Sequence, residues 1–417
     1  MNGGSRDVRY NLTRFVEQSV QEGNPIIAVS INYRLSYWGF LYSNEIERAG
    51  AGNIAFRDQR LAFQWINENV DAFGGSSKKV TVWGESAGAR SLGMQLIAYD
   101  GQHDDLFQAA ILESGSPVAR FVDADAWQPY FDALVEKTGC SGAGNALDCL
   151  RELPWETLND VFNSTSSLNV TAPNFSAVLD GDFITAQASE LLSEGKFAHV
   201  PLLLGNNHDE GTAYGQKGIN TTDEFRAYLK GLDLDAQQVD NITSLYPDDP
   251  AVGIPPSYNG RPTNSSYGHQ WKRAAAFAGD YQQHSGRRLL AESYADAGLD
   301  VYSYLWNVYV NGVPPILGAT HFQEVAFVFN NTEGVGYATD PFENKPETYK
   351  QLADLMSRQW VTFIALGHPN VDNLTWPKYE LPNPDMLVYD VNRTGLTYTD
   401  KDDYRKEAIA YLQEFVY

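Results

Sequence analysis

Basic residues are few in this chain: 30 Lys and Arg stand against 53 Asp and Glu, a formal net charge of −23. Neutralising nucleic-acid phosphates takes clustered cations, so nucleic-acid binding is excluded as a main task. Docking on an anionic lipid surface is excluded on the same ground, and the acidic balance reads as a solvated surface. No apolar run approaches the ~20 residues of a membrane span. The opening stretch, "MNGGSRDVRYNL", lacks the apolar core of a signal peptide. Internal repeats and low-complexity tracts are missing too. Cysteine is scarce: Cys140 and Cys149 alone, within "TGCSGAGNALDCLREL". They are either unrelated core thiols or a pair that the Gly/Ser/Asn loop between them lets close.

What is present points to a large folded enzyme-sized body. Hydrophobic residues make up 43% of the 417 positions and aromatics 13%, enough for a substantial core and far from a disordered composition. Ten N-x-S/T sequons occur, with acceptors at Asn11, Asn163, Asn169, Asn174, Asn220, Asn241, Asn264, Asn330, Asn373 and Asn392. So many acceptors, with a closable cysteine pair, favour an extracellular, glycosylated protein. The polar opening stretch conflicts with that, and an internal start at Met1 is the expectation that reconciles the two.

Apolar runs alternate with helical periodicity. "NPIIAVSINYRL" (24–35) reads as a buried strand. In "RDQRLAFQWINENVDAFGG", Leu61, Ala62, Trp65, Ile66 and Val70 recur at helical spacing, predicting that this face is the buried one. Further strands are expected at 80–83, 109–112, 202–204 and 301–308, and helices at 87–98 and around "YKQLADLMSRQWVTFIALGHPN". Strand–helix alternation with strands apolar on both faces means a mostly parallel sheet covered by helices. Residues from about 120 to 190 and from about 215 to 300 read as helical excursions from that sheet, which makes 1–417 a single α/β unit.

The most informative stretch is "KKVTVWGESAGARSLGMQL" (78–96). A strand stops at Gly84, Ser86 follows, and a helix starts beyond Gly88. A sharp strand-to-helix turn lifts one serine hydroxyl clear of the sheet, next to the free N–H groups of a helix N-terminus, Ala87 first. Small residues at 84 and 88 are expected to avoid collisions across the turn. A serine nucleophile needs a base, and the base needs an orienting acid. "VPLLLGNNHDEGTAY" offers Asp209 and Glu210 just past a strand. His269, His284, His321 and His368 lie after them. His321 sits in a Gly/Pro-rich loop following a strand. His284, beside Arg287 and Arg288, reads as solvated, and His368 as a helix cap. A metal site at "HDE" is disfavoured, because adjacent side chains do not converge easily on one ion.

These blocks, with "INYRLSYWGFL", "GNIAFRDQRLAFQWINENVDAFGG", "LLLGNNHDEGT", "GATHFQEVAFVF" and "NLTWPKYELPNPDMLVYD", resemble the type-B carboxylesterases and lipases over essentially the whole chain, most of all the secreted fungal members. The resemblance implies the α/β-hydrolase fold and a serine ester hydrolase without metal or organic cofactor. It implies Ser86 as nucleophile, His321 as base and Glu210, rather than Asp209, as acid. It also implies that Ser114 supports Glu210 and that Cys140 and Cys149 are bridged. An ester, lipid or small-molecule, is the implied partner, and secretion the implied location. Two departures stand out: Glu113 replaces a usual glutamine beside Ser114, and "NIAF" lacks a common glycine. The resemblance begins just past the family's glycine run, which normally supplies the other oxyanion N–H donors, so an N-terminally truncated, impaired hydrolase is one alternative. A non-enzymatic, cholinesterase-like binding scaffold is the other.

Overall fold

A computed structural model describes residues 4–164, 168, 170–264 and 266–415; Met1 and the sequon acceptor Asn169 lie outside them. Six strands form one sheet: β1 (Thr81–Glu85), β2 (Ala109–Glu113), β3 (Leu202–Asn207), β4 (Val301–Trp306), β5 (Asp385–Tyr389) and β6 (Thr397–Lys401). They lie side by side in chain order. β1 to β5 pair in parallel, and β6 closes the far edge antiparallel to β5. Every residue of β2, β3 and β4 is buried. Their period of two splits them between two cores. Ala110, Leu112, Leu202 and Leu204 pack on one face, Ile111, Leu203, Tyr302 and Tyr304 on the other.

The first face is covered by α1 (Ile54–Asn69), α2 (Ala87–Ile97) and α4 (Ser285–Asp296); α3 (Trp271–Gly279) leads into α4 through a π-helical turn, Asp280–His284. The second is covered by α5 (Thr348–Leu366), which buries Leu352, Met356, Trp360 and Phe363 at helical spacing. Helix α5 ends at Gly367, whose left-handed backbone (φ 78°) lets its N–H bond Phe363 O. The cap is therefore Gly367, not His368.

The excursion after β2 carries helices Ala124–Lys137, Ala146–Glu152 and Trp155–Asn163 around a small core of their own. Cys140 and Cys149 are bridged there, Cα to Cα 5.8 Å, tying the first two helices together. The excursion between β3 and β4 packs helices Thr222–Lys230 and Ala236–Leu245 on α3.

Three expectations need correction. Residues 24–35 join no sheet: no backbone group from Ile27 to Ile31 is hydrogen-bonded among the described residues. Helix α1 buries Ala55, Phe56 and Phe63, while Leu61 and Trp65 are 64% and 52% exposed. The buried face also holds Gln59 and Arg60, so apolar periodicity points to the exposed face instead. His284 is not solvated but buried, its Nδ1 against the Tyr404 hydroxyl. Its neighbours Arg287 and Arg288 are buried too, because both bond the buried carboxylate of Asp402, more than a hundred residues away. Burial and the nearby Arg405 charge hold His284 well below the ordinary histidine range.

Candidate active site

Strand β1 ends at Glu85 and α2 begins at Ala87, so Ser86 makes the whole turn, at φ 53° and ψ −112°. Its N–H donates to Glu113 O at 2.8 Å, while its own carbonyl accepts from Arg90 N–H at 2.8 Å. The turn is tight on one side only. A Cβ at Gly84 would stand 2.5 Å from the Gly88 carbonyl carbon, so glycine is required there. At Gly88 a Cβ would meet nothing within 4 Å. The expectation that Gly88 avoids a collision is thus corrected: it faces an open cavity of about 1130 Å³ that also exposes Ser86, Ala87 and His321. Ala87, first in α2, has a backbone N–H with no intrahelical partner.

The structure brings Ser86, His321 and Glu210 into one line. Ser86 Oγ lies 2.7 Å from His321 Nε2, and His321 Nδ1 lies 2.7 Å from Glu210 Oε2. Glu210 is fully buried at the end of β3. Its other oxygen accepts the Asn207 N–H at 2.8 Å and the Ser114 hydroxyl. Burial alone would push Glu210 upward; the His321 charge and these hydrogen bonds outweigh it and hold the carboxyl below its usual range. For His321, burial pulls downward and the Glu210 carboxylate more than compensates, so the imidazole titrates above its ordinary value. Neither His269, His284 nor His368 approaches Ser86.

Asp209 has a different task from Glu210. Its Oδ2 accepts Ala319 N–H at 2.8 Å and its N–H donates to Ala319 O at 3.0 Å, fastening the loop that carries His321. His208 Nδ1 bonds Asp209 Oδ1 at 2.8 Å. Glu210 is turned to His321, while His208 and Asp209 face each other.

Sequence reasoning missed the rest of the loop's fixings. Asn207 donates from Nδ2 to Thr320 O at 2.8 Å and to Glu324 Oε2 at 2.6 Å, and the Thr212 hydroxyl bonds Leu317 O and Thr320 Oγ1. One signal was available: Glu324 is a lone charge inside the apolar run "EVAFVF" region, three residues past His321, and a buried charge needs a partner. Glu324 and Glu85 add two more carboxyls beside the imidazole, and Glu113 acts on both of them in turn. Burial and Glu210 push Glu324 up to about 7. Burial and Glu324 push Glu113 up to about 8, although the indole N–H groups of Trp83 and Trp360 both donate to its Oε1. Glu85 Oε1, 3.4 Å from His321 Nε2, is also raised by burial.

A profile of the carboxylesterase family matches residues 2–411. The chain belongs to the carboxylesterase family. Carboxylic ester hydrolysis is that family's chemistry. Lipase 2 of Diutina rugosa is 32% identical over 420 residues, 96% of this chain and 71% of that protein. A secreted triacylglycerol lipase of Gibberella zeae is 33% identical, covering 97% of this chain and 68% of its own length. Secreted lipase 1 of Botryotinia fuckeliana is 36% identical over 77% of this chain and 58% of its own length. The solved structure of Aspergillus niger EstA superposes with a TM-score of 0.80 at 23% identity, over 99% of this chain and 79% of that one. That likeness gives the α/β-hydrolase fold. The carboxylesterase relatives are thus longer than this chain, which spans 58% to 71% of the three lipases.

Proposed function

We propose that this chain carries the catalytic relay of a serine carboxylic-ester hydrolase, working outside the cell. The observation that supports it is the continuous line from Ser86 Oγ through His321 to buried Glu210, with the hydroxyl at a helix N-terminus and open to a cavity. Ser86 Oγ attacks the ester carbonyl carbon as His321 Nε2 takes its proton. Glu210 keeps the imidazole's other proton on Nδ1 and stabilises the imidazolium. The Ala87 N–H faces the developing oxyanion. His321 then returns the proton to the departing alkoxide, leaving an acyl-enzyme. Water, deprotonated by His321, attacks the acyl carbon and restores Ser86. The disulfide, the ten sequons and the secreted relatives support the extracellular setting.

Labelling with a fluorophosphonate, followed by peptide mapping, tests the nucleophile. The adduct is expected on Ser86 and absent from Ser86→Ala, which should also lose short-chain nitrophenyl ester turnover by several orders of magnitude. Labelling elsewhere, or none, would sink the reading. Oxyanion stabilisation takes two or three donors, and each one missing costs about 10²–10³ in rate. Ready labelling with slow turnover is therefore the mark of a relay whose oxyanion site is incomplete.

A further inference from the structure

Beside Ser86 and His321, and not lining the large cavity, stands a second group of polar side chains that the relay does not use. Arg90 lies on α2 one turn beyond Ser86, its backbone N–H on Ser86 O at 2.8 Å. That turn sets it about 5–6 Å further along the helix. The chain leaving β2 passes close by: a Cβ at Gly115 would stand 2.7 Å from Ser86 O and 2.8 Å from Arg90 N. It then runs along the start of α4, where a Cβ at Gly286 would meet Ser116 Oγ at 2.5 Å and Val118 Cβ at 3.1 Å, and reaches Arg120. Both arginines act on the π-helical turn Asp280–His284. Arg90 Nη2 donates to Gln282 O at 2.9 Å and to Gln282 Oε1 at 3.3 Å. The Tyr281 phenol, pushed up by burial, is pulled back by the Arg120 charge. From the same turn, Gln283 Nε2 donates to the Tyr214 hydroxyl at 3.3 Å, and the Tyr214 ring lies 5.2 Å from the His321 ring. One rim thus runs from Arg90 through the turn and Tyr214 to His321.

The charge on this rim is unbalanced. The chain carries −23, yet among the described residues Arg90 bonds only neutral oxygens, and Arg120, fully exposed to solvent at its loop, bonds none. Arg287, Arg288 and Arg405, by contrast, each hold a buried carboxylate. Asp233 also acts on Tyr281, but it is paired with neither arginine. Burial and Glu210 set the titration of His321, and burial sets that of Tyr214; in both the Arg90 charge acts downward, so its guanidinium is within Coulomb reach of the reacting groups. Arg90 Nε and Nη1 have no protein partner and remain as charged donors. We propose that Arg90, supported by Arg120, determines specificity by binding a carboxylate that the substrate carries about one helical turn from the carbonyl attacked by Ser86. This rests on the hydrolase reading. The substrates it selects are half-esters of short dicarboxylic acids and other carboxylate-bearing esters. The Tyr214 hydroxyl, which accepts from Gln283 and keeps its own proton, is the second donor.

Two fluorophosphonates test this, identical but for the end of a chain about four carbons long, methyl in one and carboxylate in the other. The readout is the ratio of their labelling rates at Ser86, which needs no turnover. At low salt the carboxylate probe should label about tenfold faster, as expected for a hydrogen bond to a charged group. The preference should shrink in ~1 M NaCl, where charges are screened beyond about 3 Å. Arg90→Gln should bring the ratio close to unity, and Arg90→Lys should keep most of it. Arg120→Gln should lower it about threefold, the scale of an exposed charge. Because the two rates are compared within one variant, poor labelling in general does not mimic the effect. Should Arg90→Gln not fold, the salt dependence and Arg120→Gln carry the same test. Labelling by neither probe sinks the hydrolase reading and this inference together. Labelling by both at equal rates, or a preference that survives Arg90→Gln and high salt, overturns this inference alone.

Discussion

Glu210 and Glu324 both raise the His321 imidazole, and Glu85 lies 3.4 Å from its Nε2. Hydrolysis by the proposed route needs a neutral imidazole. His321 is raised by Glu210, so kcat/KM should climb with pH through a midpoint above the ordinary histidine value of 6.5. A pH–rate profile of nitrophenyl ester turnover checks this; a midpoint below 6 would contradict it. Glu113 acts on stability instead. At about 8 in the fold, against 4.5 as its ordinary value, it stays protonated where the unfolded chain has lost that proton. The group therefore does no harm at low pH, and stability is lost as pH rises from about 4.5 through about 8. Glu113→Gln should gain little at pH 5 and several degrees in Tm at pH 8, by thermal unfolding at both. Equal gains would refute it. At this scale the sequence was readable where chemistry is local. The turn at Ser86 advertises itself through Gly84. The choice between Asp209 and Glu210 does not, because both follow β3, and only contact with the His321 loop a hundred residues later separates them. The burial of His284 was hidden for the same reason: its neighbours' partner, Asp402, is distant in sequence.

Elements were legible where burial is two-sided. β2, β3 and β4 are apolar on both faces and announce themselves, whereas the face of α1 was misjudged because Leu61 and Trp65 are as apolar as the buried Phe56 and Phe63. Residues 24–35 have a strand's composition, but a strand is completed by its neighbours, and among the described residues no strand pairs with them. Where elements do meet, the fit is close. Helix α3 crosses the short helix Gly211–Tyr214 directly after Glu210, and a Cβ at Gly211 would stand 1.8 Å from Ala275 O and 2.3 Å from Gly279 N. Both are backbone atoms and cannot swing aside. Gly211→Ala should destabilise the protein by about 1–3 kcal/mol or more, and it should lower turnover further by moving Glu210. Chemical denaturation and ester turnover measure the two effects. A variant as stable and active as the parent would show that α3 can retreat.

At the scale of the molecule, the order of strands across the sheet is the order in the chain, β1 to β6. The residues between β2 and β3, and between β3 and β4, leave the sheet as long excursions and return to the next free edge. During synthesis no described strand has to be threaded between two that are already paired; each is laid against the one made before it. The growing polypeptide can thus build outward from β1 as it leaves the ribosome, and the non-local pairing that slows large parallel sheets is met one edge at a time. Stalled nascent chains ending after β3 should already protect β1 and β2 from protease, and chains ending after β2 should protect them less. Equal cleavage at both lengths would mean that the sheet waits for the whole polypeptide.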